Sequence, residues 1–132
     1  MIKLILARLK QDATLSQLLK VTSTDKRIAA SYGDDFDTQI VYKNNPLASD
    51  DFIERNRLTL SIYDKEDRII EAIDKRLKEI LLIPESTQLQ DSEVCITAID
   101  YQDGAQQEWI FEGGPKLLKR DLNFRIVWRY KK

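Results

Sequence analysis

The chain has 132 residues, of which 42% are hydrophobic and 33% charged, with 21 Lys and Arg against 22 Asp and Glu. This length fits one domain, residues 1–132, and the ordinary apolar content excludes a disordered chain. The sequence contains no His and one Cys, which excludes an internal disulfide, His-based catalytic pairs and the usual zinc ligand sets. We therefore expect no enzymatic activity, no metal and no cofactor.

The first 19 residues predict helical structure. Apolar residues from Ile2 to Leu9 recur at helical spacing, but the run is too short and too charged for a signal peptide or a membrane span. We therefore expect a cytoplasmic protein that does not enter membranes. The stretch from Thr14 to Gln17 fits a capping box and predicts a further helical stretch. The pattern leaves open whether there are two helices or one kinked helix.

Polar loops and one strand are predicted for the next segment. Residues 22–37 read as loop, whereas residues 38–43 are β-branched and aromatic and predict a strand. The sequence Asn44-Asn45-Pro46 should end this strand. The acidic residues 46–56 read as a second loop, and we expect loops 22–37 and 44–56 to be mobile in the free protein.

A strand followed by the best helix of the chain comes next. Apolar and polar residues alternate cleanly over 57–63, which predicts a half-buried strand. An apolar stripe then predicts a helix over 65–82, with Asp64 as its cap and Pro84 as its stop signal.

The remaining residues predict a hairpin. Residues 93–101 are strand-like, Asp103-Gly104 marks a turn, and residues 108–111 form the return strand. The single Cys95 lies within the first of these strands and is expected to be a small buried hydrophobe.

A last strand closes the chain. It follows the break at 113–115, and its apolar face runs from Leu122 to Tyr130, with Trp128 in the core and Arg125 and Arg129 on the other face. Taken together, the elements predict an α+β fold. A mostly antiparallel or mixed sheet of four to five strands should carry the N-terminal helix and helix 65–82 on one face.

Charge is distributed unevenly along the chain. Residues 113–132 hold seven Lys and Arg against Asp121 alone, a net charge of +6, which leaves −7 for the rest. Opposite charges at two ends of one fold favour docking of identical copies or of a charged partner. This hypothesis needs a one-signed basic surface on the final segment.

Two other kinds of site are weaker alternatives. The acids of 34–37 and 50–51 could hold a divalent cation, but they lack the EF-hand spacing and are expected to be solvated loops. Arg125 and Arg129, which share a strand face near aromatic residues, suggest a nucleic-acid-binding module as an alternative function. Sequence-specific nucleic-acid binding is not expected, because the sequence pI is only about 5.5.

Several segments together resemble a known family. They are the helix end Asp12–Leu19, the extended Ile40–Tyr42 leading to Pro46, the strand and helix start Leu58–Lys65, and the closing Arg120–Trp128. This layout resembles the tail-completion proteins of long-tailed bacteriophages, also called tail-terminator or head–tail joining proteins.

The resemblance implies a structural protein of a phage or prophage neck. Such a protein is expected to form a ring, typically of six copies, that caps the tail tube and contacts the head connector, in the host cytoplasm during assembly and then in the virion. A ring requires two different complementary patches on each subunit. The residues that we expect to supply apolar anchors and charges for these contacts are Trp109, Phe111, Lys116, Lys119, Arg120, Arg125, Arg129, Asp34, Asp35 and Asp37.

Overall fold

Three helices packed on one face of a five-stranded sheet make up the described part of the chain. The computed structural model describes residues 1–19, 27–33, 38–50, 52–83, 89–110 and 116–131. The helices are α1 (Ile2–Lys10), α2 (Ala13–Leu18) and α3 (Asp67–Leu81). The strands are β1 (Ile28–Ala29), β2 (Gln39–Asp50), β3 (Ile53–Asp64), β4 (Val94–Ile110) and β5 (Lys116–Tyr130).

The sheet has the strand order β1-β2-β3-β5-β4. The short β1 pairs with β2 in parallel, and the other neighbouring strands are antiparallel. The α+β class, the mixed sheet and the helices on one face are therefore confirmed. Part of the predicted loop 22–37 forms β1, whereas residues 22–26 and 34–37 lie outside the described ranges.

The core forms where the apolar alternation of the strands meets the helices. Leu58, Leu60 and Ile62 of β3 are fully buried, and Phe124 of β5 is buried beside them. Polar Thr59 lies on the other face of the sheet, as predicted. These side chains and the apolar stripe of α3 form one cluster, so the period-two and helical patterns placed the core correctly.

The start of α2 corrects the predicted capping box. Asp12, not Thr14, is the N-cap, and its Oδ2 accepts a hydrogen bond from the Leu15 amide at 2.8 Å. The two predicted helical stretches are separate helices. Arg76 of α3 donates from Nε to Asp12 Oδ2 at 2.9 Å and from a terminal nitrogen to Oδ1 at 2.5 Å, so the cap also ties α2 to α3. The hydrogen bond from Arg76 holds the pKa of the Asp12 carboxyl below its ordinary value.

This ion pair predicts a specific acid dependence of stability. Because the pKa of Asp12 is depressed in the folded state, its contribution is complete above the unfolded pKa and is lost as pH falls through the folded one. Asp12→Asn keeps a capping oxygen but removes the charge, so we expect a loss of about 1–2 kcal/mol at pH 7. Urea unfolding from pH 7 to pH 2.5 should show the two stabilities converging at low pH. Curves that stay parallel throughout would contradict this role.

A long β2–β3 hairpin replaces the predicted loop over 44–56. The expected strand end at Asn44-Asn45-Pro46 is wrong, since β2 continues to Asp50 and β3 begins at Ile53. Beyond Val41 no described strand pairs with the outer side of β2, and Pro46 lies at a register shift. Proline is tolerated at such an edge because it has no ladder hydrogen bond to donate there. The side-chain amide nitrogen Nδ2 of Asn56 donates to Asn44 Oδ1 across the hairpin at 3.0 Å.

The junction between β3 and α3 differs from the predicted cap. The N-cap residue is Glu66, and it makes no side-chain capping hydrogen bond. Asp64 is the last residue of β3, and its carboxylate accepts from the Glu66 amide at 2.7 Å and from the Thr38 hydroxyl. Asp64 therefore ties the turn before α3 to Thr38, the residue that precedes β2. The predicted stop signal, Pro84, lies outside the described residues.

The predicted turn at Asp103-Gly104 is wrong, because β4 runs unbroken through it. Residues 108–110 belong to this same strand, and the hairpin partner is β5. The pairing with β5 shifts between Ile96 and Ala98 and between Tyr101 and Asp103, so bulges absorb the irregular pattern. A Cβ at Gly104 would lie 2.5 Å from the Tyr101 hydroxyl and 2.9 Å from the Asp121 carbonyl oxygen. Glycine is therefore needed for close approach.

Gly104→Ala should destabilise the fold. The Tyr101 side chain can move aside, but the Asp121 backbone cannot move without disturbing the β4–β5 ladder. We expect a loss of about 1–3 kcal/mol in the free energy of unfolding, the usual cost of overpacking. Urea denaturation measures it, with Ala105→Ser on an exposed neighbour as the control. An unchanged midpoint for Gly104→Ala would show that this contact relaxes freely.

The prediction that Cys95 is buried needs correction. Val94 and Ile96 point into the core, so Cys95 faces the other side of the sheet and is only half-buried. None of the helices within the described ranges has the length and apolar character needed to cross a membrane.

Candidate interaction surfaces

Two long strand edges are open at opposite sides of the sheet. Among the described residues, no strand pairs with the outer side of β2 from Tyr42 to Asp50 or with the outer side of β4 over residues 97–106. Such edges present backbone N–H and C=O groups that can pair with another chain. Pro46 and the bulges make the two edges different from one another. They are suited to a contact between unlike patches.

An exposed apolar end is formed by the β2–β3 hairpin. Leu47, Phe52 and Ile53 are exposed there, with Phe52 at 66%, and Tyr130 of β5 is exposed at the same end of the sheet. Phe52 has φ of 75°, a left-handed conformation that is costly for a bulky residue. A two-residue connection between paired strands calls for a positive φ, so this conformation belongs to the turn, and the exposure of the ring is what makes Phe52 a candidate for a contact outside the chain.

The opposite end of the sheet carries the ends of β4 and β5. Here Trp109 and Ile110 pair in register with Leu117 and Lys116, beyond the last residues of β3. Only the backbone is described for Trp109 and Lys116, and Phe111 lies outside the described residues. The backbone of the predicted anchor Trp109 thus lies at the end of the sheet opposite to Phe52.

The Arg120 side chain lies largely buried between α3 and the sheet. Its side chain, 16% exposed, donates to Asp74 of α3 at 2.8 Å and to Gln106 of β4 at 2.8 Å, and it lies 3.3 Å from Glu71. Burial alone would lower the pKa of Arg120, but the hydrogen bonds to Asp74 and Glu71 outweigh it and raise this pKa. Arg120 therefore joins α3 to the sheet.

Other cations of the final segment are also interleaved with acids. Lys119 lies 3.7 Å from Asp121, and Arg125 lies 3.3 Å from Asp100 on the neighbouring strand. Lys132 and the side chain of Lys116 are outside the description. The expected one-signed basic surface of residues 113–132 is therefore wrong for the described part of this segment, because acids of α3, β4 and β5 itself form ion pairs with Lys119, Arg120 and Arg125.

A basic patch does form on the helix-free face of the sheet, but three strands contribute to it. Arg57 of β3 stands opposite Arg125 of β5, Arg55 is two residues away, and Arg129 lies opposite Ile53. Lys43 of β2 stands opposite Thr59, next to Arg57. We call Lys43, Arg55, Arg57, Arg125 and Arg129 the basic patch.

Three members of the basic patch, Lys43, Arg55 and Arg57, are not among the predicted site residues. Arg55 fell in the segment that was read as loop, and neither Lys43 nor Arg57 was singled out in its strand. The signal was present, because Ile53, Arg55, Arg57 and Thr59 continue the period-two alternation of β3 towards its start.

A shallow groove of about 630 Å³ adjoins the basic patch on the same face. Its polar floor is internally satisfied, because the Thr59 hydroxyl donates to Asn123 at 2.6 Å and the Ser61 hydroxyl donates to Asp121 at 2.5 Å. Within the described ranges, no three acidic or cysteine side chains come together to hold a metal ion. The predicted acidic residues Asp34, Asp35 and Asp37 lie outside those ranges.

Comparison with known proteins adds a likeness of fold. The sequence matches no protein-family model and no curated protein. Among solved structures, the chain is similar to a chain from the virion of a native gene transfer agent (GTA) particle, with a TM-score of 0.73 and 14% sequence identity. The match covers 95% of this chain and 91% of that chain. At this identity the likeness establishes a shared fold over nearly the whole length.

Proposed function

We propose that this chain is a non-enzymatic structural protein of a phage-like virion, and that it acts in the neck as a ring subunit that caps the tail tube and joins it to the head connector. The observation that carries the proposal is the fold shared, over 95% of the chain, with a component of a gene transfer agent virion. The residue pattern that resembles tail-completion proteins supports the finer assignment, including a ring of six copies.

The open strand edges support lateral assembly. A closed ring requires a heterologous contact, in which one patch of a subunit meets a different patch of the next. The outer edges of β2 and β4 lie on opposite sides of one sheet, so each copy offers one edge in each direction. Pairing of β4 with β2 of the next copy would extend the sheet around a ring.

The hairpin ends support contacts above and below such a ring. The exposed Leu47, Phe52 and Ile53 lie at one end of the sheet, and the backbone of Trp109 lies at the other end. A joining protein needs two separate faces, one for each partner. In this arrangement the apolar residues supply affinity, and Lys116 and Lys119 act on the Trp109 side as charged contacts at the rim.

The proposal is tested by assembly on the tail tube. The purified full-length chain is mixed with tail tubes assembled from the tail-tube protein of the same genome, and the products are examined by light scattering and negative-stain electron microscopy. Rings at tube ends, together with arrested tube growth, are expected. Tubes that continue to lengthen without attached protein would rule out a role as a tail cap.

A further inference from the structure

We propose that the basic patch binds the phosphate backbone of double-stranded DNA without sequence specificity. No helix of the described residues covers the face that carries it, because α1, α2 and α3 all pack on the opposite face of the sheet. Lys43, Arg57 and Arg129 are exposed, the Arg125 side chain is 43% exposed, and Arg55 is half-buried. Four of the five charged groups are therefore well exposed in the single chain.

Little of this charge is neutralised within the fold. In the part of the chain that the structure describes, Lys43, Arg55, Arg57 and Arg129 form no ion pair, whereas Arg125 has one partner, the exposed Asp100. This contrasts with Arg120, which sits among three acids. The cations of the basic patch are thus available for an external anion.

A like-charge pair lies at the centre of the basic patch. Arg57 and Arg125 are direct cross-strand partners on one face of the sheet. Like charges placed opposite each other on neighbouring strands destabilise the pairing. The exposed Asp100 already contacts Arg125, and a bound phosphate between Arg57 and Arg125 would offset the remaining repulsion.

The shape of the basic patch fits a linear polyanion. From the level of Arg129 to that of Lys43, the patch spans six residues along β3, or about 20 Å. One DNA strand carries a phosphate about every 3.4 Å along the helix axis, so this length covers roughly six phosphates. Cations placed at two-residue steps along the strands can meet successive phosphates of such a backbone.

The neighbouring side chains favour duplex DNA over other anionic partners. Ala48, Thr59, Asn123 and Val127 lie between or beside the cations, the acids Asp50, Asp100 and Asp103 lie at the margins, and none of the described residues paired in register with the cations is aromatic. Single-stranded nucleic acid is usually held by aromatic stacking, and an acidic protein surface would need apolar anchors for affinity. Binding to a duplex backbone requires only the charges.

The test is fluorescence anisotropy with a labelled 30-base-pair duplex of arbitrary sequence and the full-length chain. With up to five phosphate contacts, the slope of log K against log salt should be about −4. Affinity should then fall about two orders of magnitude between 50 and 200 mM salt. The triple variant Arg55→Gln, Arg57→Gln, Arg129→Gln should bind much more weakly, with a slope reduced by about 3.

The matched control removes the same charge from the helices, with Lys3→Gln, Arg68→Gln and Lys75→Gln, all at exposed positions. This variant should keep most of the affinity and the full salt slope. No binding by the unmodified chain at 50 mM salt, or equal losses in both variants, would overturn the proposal. Displacement of the duplex by poly-glutamate at equal charge concentration would instead assign the face to an acidic protein. The assay uses no tail component, so its failure leaves the neck proposal standing.

Discussion

Replacing Arg120 with Met is expected to lower the free energy of unfolding by about 2–4 kcal/mol, the scale for removing one partner of a buried ion pair. Arg120 bridges β5, α3 and β4, and its nearest acid, Asp74, is only 11% exposed in its side chain. Without the guanidinium, Asp74 would keep Lys78 at 2.9 Å but lose its contact to the sheet. Solvent reaches Asp67 and Glu71, so their pairs add little.

Urea denaturation of Arg120→Met beside Arg125→Met provides the measurement. Arg125 has one exposed partner, so its removal should cost less than about 1 kcal/mol. Arg120→Lys keeps a charge but not the forked geometry and should fall between the two. If Arg120→Met were as stable as the unmodified chain but failed to assemble, Arg120 would be an interface residue as the sequence suggested.

Apolar periodicity was sufficient to predict the elements that form the core. The stripe of α3 and the alternation of Leu58, Leu60 and Ile62 each have one buried face, and burial of that face fixes both the element and its orientation. The burial of Phe124 was predicted by the same alternation along β5. These predictions needed no knowledge of partners in space.

Proline and glycine gave wrong predictions of strand ends at two positions where the tertiary structure accommodates them inside a strand. Pro46 lies on a strand edge that requires no amide donor, and Gly104 serves close packing under Tyr101 instead of a turn. Neither the edge nor the close approach is visible before the strand order is known. Pro46 and Gly104 therefore predicted strand ends, although they lie inside strands, at an open edge and beside a bulge respectively.

The distribution of exposed charge was the property least predictable from the sequence, because the ion pairs that neutralise a side chain depend on its neighbours in space. Arg120 and Arg129 are similar in the sequence, yet one is enclosed by acids of α3 and the other is exposed on the opposite face. The net charge of residues 113–132 could not distinguish the buried Arg120 from the exposed Arg129. The basic patch emerged only when register brought Arg55 and Arg57 beside Arg125.

Phe52→Gly is expected to weaken binding to one partner while leaving the stability of the fold nearly unchanged. Glycine adopts a φ of 75° without steric cost, which offsets both the lost side chain and the greater freedom of the unfolded chain. We therefore expect the free energy of unfolding to stay within about 1 kcal/mol of the original value. If Phe52 anchors one partner, its loss should weaken that contact by 2 kcal/mol or more, which is about 30-fold.

Co-sedimentation with tail tubes and, separately, with the head connector measures this effect. Because Phe52 and Trp109 lie at opposite ends of the sheet, Phe52→Gly should lose one partner, retain the other and still form rings through its strand edges. Leu82→Ala, which trims an exposed apolar residue at the end of α3, should lose neither. Retention of both partners by Phe52→Gly would show that the hairpin end is not a joining surface. If Phe52→Gly also failed to form rings, the β2–β3 hairpin end would be part of the lateral contact between subunits.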